Sequence, residues 1–151
     1  MAFRGQHDHN LDSKDRVTVP ARFRAAMADG VVLAQGLDPC VEVYPVAAYT
    51  EFEQRFLADL NPFDRDGRMM QRRFHARSVD ETLDSAGRIH VPRQLIDYAG
   101  LEGTCTVVGV MDHLEVWNPE RWAEEQTRID AGVEEIAGRL AGGGSPSIGS
   151  E

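Results

Sequence analysis

A chain of 151 residues with 42% apolar side chains suits one compact domain or two very small ones, and no apolar run approaches the ~20 residues of a membrane helix. The formal net charge of −9 weighs against a nucleic-acid partner without removing it, because it is unevenly spread. Asp97–Glu151 holds eleven acidic and three basic residues, whereas Met1–Ile96 holds fourteen and thirteen.

The near-neutral part groups its cations: Arg4, Lys14, Arg16, Arg22 and Arg24 in one set, and Arg65, Arg68, Arg72, Arg73 and Arg77 in another. Local field matters more than total charge when phosphates are the ligand. The first nine residues are polar and lack the apolar core of a signal peptide, so the expected location is the cytoplasm.

In chain order, His7 and His9 alternate on a possible first strand. Ser13 to Asp15 reads as a turn, leading into the β run Val17-Thr18-Val19. Pro20 opens a short helix ended by Gly30. Val31-Val32-Leu33-Ala34 and Val41-Glu42-Val43-Tyr44 flank a turn with Gly36 and Asp38-Pro39, a hairpin pattern. Tyr49, Phe52, Phe56, Leu57 and Leu60 then have helical apolar spacing. Asn61-Pro62 and Asp66-Gly67 break the chain. A basic helix follows, with Arg65, Arg68 and Arg72 on one face.

The pattern then starts again. Leu11-Asp12-Ser13-Lys14-Asp15-Arg16-Val17-Thr18-Val19-Pro20 recurs as Leu83-Asp84-Ser85-Ala86-Gly87-Arg88-Ile89-His90-Val91-Pro92, with six of ten positions identical. A second short helix runs to Gly100. A second hairpin is built from Thr106–Val110 and Leu114–Trp117 around Met111-Asp112-His113. A final helix starting at Asn118-Pro119 carries the stripe Trp122, Ile129, Val133, Ile136, Leu140.

The divisions expected are a first repeat with its closing helix over 1–60, a basic connecting helix over 61–77, a second repeat with the C-terminal helix over 78–140, and a disordered tail over 141–151. Neither half could bury a large core alone, so the two repeats should share one. Cys40 and Cys105 lie in apolar surroundings in different repeats and read as buried, reduced thiols.

The repeated Asp-x-x-x-Arg, followed by apolar-x-Val-Pro, is the informative motif. Gly87 adopts positive φ freely, and Asp15 can do so at modest cost. Arginine at the edge of such a turn presents a planar five-donor fork to phosphate or guanine. The bland alternative is that Asp12–Arg16 and Asp84–Arg88 are ion pairs that only fix the turns. The two readings can coexist, with the aspartate orienting the arginine.

Phe3-Arg4-Gly5, the Leu11–Phe23 stretch and the second motif Asp84–Pro92 together resemble the MraZ family over residues 1 to about 140. The resemblance implies a mixed α+β fold in which two tandem AbrB-like repeats form one swapped-hairpin β barrel, an intrachain pseudo-dimer, with flanking helices. It implies a bacterial transcriptional regulator of the division and cell-wall gene cluster, associated with the nucleoid. Its expected partners are double-stranded promoter DNA with repeated sites and further copies of itself in a ring.

Carried onto this chain, the resemblance makes Arg16 the principal DNA contact, with Lys14 beside it, Arg88 its equivalent and Arg4 a weaker candidate. Asp12, Asp15, Asp84 and Gly87 shape the turns. Asp15 replaces the family's usual glycine and should weaken phosphate attraction or reshape the turn. Ala86 in place of Lys14 should make the second turn the weaker binder.

Chemistry of other kinds finds little support. His7 and His9 fall short of a metal site without more ligands, and two cysteines without paired spacing make no zinc site. His75, His90 and His113 stand isolated in sequence. The chain carries no nucleophile motif, dinucleotide fingerprint or P-loop, and no two carboxylates can be placed together in a cleft. The expectation is a non-enzyme with no cofactor and no small-molecule substrate. A protein-interaction module without specific DNA binding is the rival reading, and a small hydrolase or transferase using His7 and His9 ranks last.

Overall fold

A computed structural model describes residues 2–142; most of the tail expected to be disordered lies outside the described residues. Among the described residues are eight strands and four α-helices. They are β1 (Gln6–Asn10), β2 (Arg16–Thr18), β3 (Val31–Gln35), β4 (Val41–Pro45), α1 (Val46–Phe52), α2 (Arg65–His75), β5 (Ser78–Glu81), β6 (Arg88–His90), α3 (Arg93–Ala99), β7 (Thr104–Val110), β8 (His113–Trp117) and α4 (Pro119–Ala141). The chain forms two compact units that part after Pro119.

In the first unit, six strands make an antiparallel sheet in the order β1-β7-β8-β4-β3-β5, and β2 pairs with β6 in a separate ribbon. The six-stranded sheet is open, with β1 and β5 at its edges. The pairing crosses between the repeats. β1 of the first repeat pairs with β7 of the second, and its counterpart β5 pairs with β3 of the first. The hairpins β3–β4 and β7–β8 meet where β4 pairs with β8.

Alternation along the strands explains the core. Val31 and Leu33, Val41 and Val43, Leu114 and Val116, and Cys105 and Val107 turn inward to join Val17, Ile89, Phe23 and Ile96 in one buried cluster. That cluster draws on both repeats, as two half-sized modules require. Both cysteines are buried free thiols. On the opposite face of the sheet, Val32, Ala34, Tyr44 and Tyr49 form a smaller cluster under α1, with Phe52 against it.

The helices differ in detail from the sequence reading. Pro20 is followed by two consecutive 3₁₀ turns, Ala21–Phe23 and Ala25–Met27, closed by i→i+3 bonds. The equivalent segment after Pro92 is the α-helix α3, which ends on Gly100 at φ 65° with Leu101 N–H returning to the Ile96 carbonyl. The first closing helix passes from α into a π turn over Glu53–Leu57, where Ala58 N–H donates to the Glu53 carbonyl. Strand β8 begins at His113, one residue earlier than the apolar pattern suggested, because Met111 accepts φ 61° and tightens the turn.

In the second unit, α4 presents Ile129, Val133, Ile136 and Leu140 on one stripe. Ion pairs Arg128–Glu125 and Arg139–Glu135 lie within the helix.

Candidate nucleic-acid interface

The β2–β6 ribbon carries the two motifs side by side. Arg16 lies opposite His90, Val17 opposite Ile89, and Thr18 opposite Arg88. Val17 and Ile89 point into the core at 2% and 0% exposure, so the flanking arginines are held at the surface. Outside the ribbon, Val91 N–H donates to the Asp15 carbonyl and Val19 N–H to the Gly87 carbonyl, tying each strand end to the other repeat's turn.

Each turn is built around one aspartate. Asp12 Oδ1 accepts from the backbone N–H groups of Lys14 and Arg16, both at 2.9 Å, and Oδ2 accepts from Arg16 Nε at 2.8 Å. Asp84 repeats the arrangement with Ala86 N–H at 3.0 Å, Arg88 N–H at 2.9 Å and Arg88 Nε at 2.8 Å. The backbone N–H of Arg16 or Arg88 is the leading cause that holds the corresponding carboxyl below the usual aspartate range; the arginine side chain adds to it. The ion-pair reading of the motif is therefore correct as geometry.

Because the clamp engages Nε, the terminal guanidinium nitrogens are left for another acceptor. For Arg16 there is a second carboxylate in range, Asp84 Oδ2 at 3.8 Å from Nη1. The two turns are thus adjacent as well as equivalent.

At the tips the turns diverge. Asp15 and Gly87 occupy the same left-handed position, at φ 61° and 78°. Asp15 does not sit on Lys14 or Arg16. Its carboxylate accepts from Arg93 Nη2 at 2.9 and 3.1 Å, across the repeat boundary. At Gly87 the constraint is doubled, since a Cβ there would fall 2.2 Å from Arg24 Nε. Arg24 in turn donates to the Val19 carbonyl at 2.9 Å. Lys14 and Ala86 are both exposed, so a charge stands at one tip and a methyl group at the other.

Arg4 is exposed and follows Phe3, which is 3% exposed and bridges to Met111. Its carbonyl accepts from Arg22 Nη2 at 3.2 Å. Gly109 lets this segment approach, because a Cβ there would lie 2.4 Å from the Arg4 nitrogen. His7 and His9 do share one face of β1, with His7 edge-on to Phe23.

The second basic group is not a single surface. Arg73 donates to the Gln35 and Gly36 carbonyls, and Arg77 donates to Gln35 Oε1, so both brace the β3–β4 hairpin. Arg93 and Arg24, which bear on the turns, were not readable as partners of Asp15 and Gly87, because no spacing rule links residues 78 or 63 positions apart.

The family model described as "MraZ protein, putative antitoxin-like" matches residues 2–73 and 75–142. "Transcriptional regulator MraZ" of Desulforamulus reducens is 40% identical over 136 residues, covering 89% of this chain and 94% of the relative. The protein of the same name in Limosilactobacillus fermentum is 34% identical over 140 residues, covering 93% and 97%. That of Lactiplantibacillus plantarum is 35% identical over 138 residues, covering 91% and 97%. With both halves matched by the family model and relatives aligned along nearly their whole length, the chain belongs to the MraZ family.

Proposed function

We propose that this protein is a DNA-binding transcriptional regulator that reads DNA with the two turns of the β2–β6 ribbon. The observation that carries the reading is the twice-built aspartate clamp, which orients Arg16 and Arg88 on adjoining turns while leaving their terminal nitrogens for an acceptor. The names of the relatives agree with it.

In this reading Arg16 and Lys14 contact bases and phosphates at the first turn, Arg88 does so at the second, and Arg4 contributes backbone attraction. The crossed strand pairing fits a swapped-hairpin arrangement, with the ribbon completing the barrel that the open sheet begins. Repeat boundaries at residues 60, 77 and 140 follow from the same division.

A single chain offers few phosphate contacts, so its own affinity is modest and falls with salt. Homo-oligomerisation multiplies the turns, and effective concentration then favours promoters with repeated sites about one helical turn apart. The targets are the promoters of the division and cell-wall gene cluster, which places the protein in the cytoplasm on the nucleoid. No described helix is long and apolar enough to cross a membrane.

The test is fluorescence anisotropy with the duplex upstream of the protein's own gene and a scrambled duplex, at two salt concentrations. Preference for the upstream duplex, lost in Arg16→Ala, supports the reading. Equal binding to both, or none at low salt, replaces it with a protein-interaction module.

A further inference from the structure

Away from the ribbon, the β4–β8 pairing sets Glu42 directly opposite Glu115. His113 stands two residues before Glu115 on β8, so its side chain is on the same face. One ligand atom from each of the three lies within 4.8 Å of the others. His113 Nε2 is 3.5 Å from Glu115 Oε2 and 3.9 Å from Glu42 Oε2. The His113 side chain is only 10% exposed, and its Nε2 has no hydrogen-bond partner among the described residues.

Groups behind these three hold them in position. Asp112 Oδ1 is 2.8 Å from His113 Nδ1 and fixes the orientation of the ring, with Nε2 on the side of the two glutamates. Trp117 Nε1 donates to Glu115 Oε1 at 2.9 Å, leaving Oε2 for the cluster. Tyr44 stacks on the imidazole at 4.4 Å and 11°. The nearby Arg73 directs its terminal nitrogens at the Gln35 and Gly36 carbonyls. One imidazole nitrogen and two glutamate side chains thus converge on one point between β4 and β8.

We propose that Glu42, His113 and Glu115 bind one divalent transition-metal ion at the seam between the two repeats. One imidazole and two carboxylates form a borderline-hard donor set suited to Zn²⁺ or Mn²⁺. Ligand bonds of 2.0–2.2 Å in a tetrahedral site put donor atoms about 3.4 Å apart, close to the 3.5 and 3.9 Å that separate His113 Nε2 from the two glutamates. The hydrogen bonds of Asp112 and Trp117 supply the outer shell that such sites use to orient their ligands. The ion would cross-link β4 to β8 and so join the two repeats.

The experiment is isothermal titration of the untagged, chelator-treated full chain with ZnCl₂ and MnCl₂. Melting curves and the Co²⁺ absorption spectrum would be recorded in parallel. One ion per chain is expected, with a rise in Tm on saturation and tenfold or greater loss of affinity in both Glu42→Gln and His113→Gln. The double variant His7→Ala/His9→Ala controls for the other histidine pair and should bind as the parent does. If His113→Gln does not fold, the near-isosteric Glu42→Gln decides alone. Absence of binding, undiminished binding in Glu42→Gln, or loss confined to the His7/His9 variant overturns the proposal.

Discussion

The two turns of the ribbon share one frame and differ at their tips. Asp12 and Asp84 make the same three hydrogen bonds at nearly the same distances, and each returns its arginine's Nε to Oδ2 at 2.8 Å. Lys14-Asp15 then stands where the other turn has Ala86-Gly87. The clamp needs only a carboxylate, two backbone N–H groups and one guanidinium, so it tolerates divergence at its tip. The tip sets the field, and the clamp sets the direction of the arginine. A duplicated module can therefore keep its geometry while its two faces acquire unequal charge.

The largest effect is expected where both turns lose their common support. Ile89 is fully buried in the ribbon opposite Val17, so Ile89→Ala should cost about 2–5 kcal/mol in denaturant unfolding. A cost under ~1 kcal/mol would show that the ribbon can collapse around the cavity.

Next comes the contrast between the arginines. Arg16→Ala should weaken DNA binding by about 1–3 kcal/mol with the fold intact, and Arg88→Ala should weaken it less. Equal losses by anisotropy would mean that tip charge does not separate the turns.

Lys14→Ala and Ala86→Lys probe that charge directly. The first should reduce the slope of log K against log salt by about one contact, and the second should raise it by a similar amount. Unchanged slopes would place both tips away from phosphate.

Asp15→Gly is expected to act most gently. It removes an exposed ion pair with Arg93, worth roughly 0–1 kcal/mol, and relieves the positive φ of a non-glycine residue. DNA binding should be kept or tightened, since a carboxylate leaves and Arg93 is released. A clear loss would show that the Asp15–Arg93 link orders the first turn.

Acidification tests what the turns have in common. The clamp holds the Asp12 and Asp84 carboxyls below their unfolded range, so the stability they contribute is present above that range and disappears as pH falls through the folded values. Melting temperature should therefore drop below roughly pH 4, and the Asp12→Asn/Asp84→Asn variant should lose that part of the acid dependence.

Much of this was readable along the chain. Apolar β runs flanking turn residues located both hairpins, and Pro20, Pro92, Gly30 and Gly100 bounded the short helical segments. The Asp-x-x-x-Arg spacing is a local rule, because an Asx-type turn closes within five residues, and the structure forms both ion pairs. Local rules failed where the choice was between near-equal helical geometries, as in the 3₁₀ turns after Pro20 and the π turn after α1. They also failed for His113, which stands alone in sequence but meets Glu42 and Glu115 in the sheet. Arg73 and Arg77, grouped with a basic surface on composition, brace a hairpin.

By itself the sequence determined the duplication, the type of most elements, the two clamped turns and the family. Each of these depends on contacts within a few residues or on a repeat visible by eye. Only tertiary structure decided which strand of one repeat pairs with which strand of the other, that Arg93 neutralises Asp15, and that two glutamates 73 positions apart face one another beside a buried histidine. Such contacts have no sequence period. They are set by strand pairings between the repeats, β1 with β7, β3 with β5, β4 with β8 and β2 with β6, which are selected by the free energy of burying one shared core.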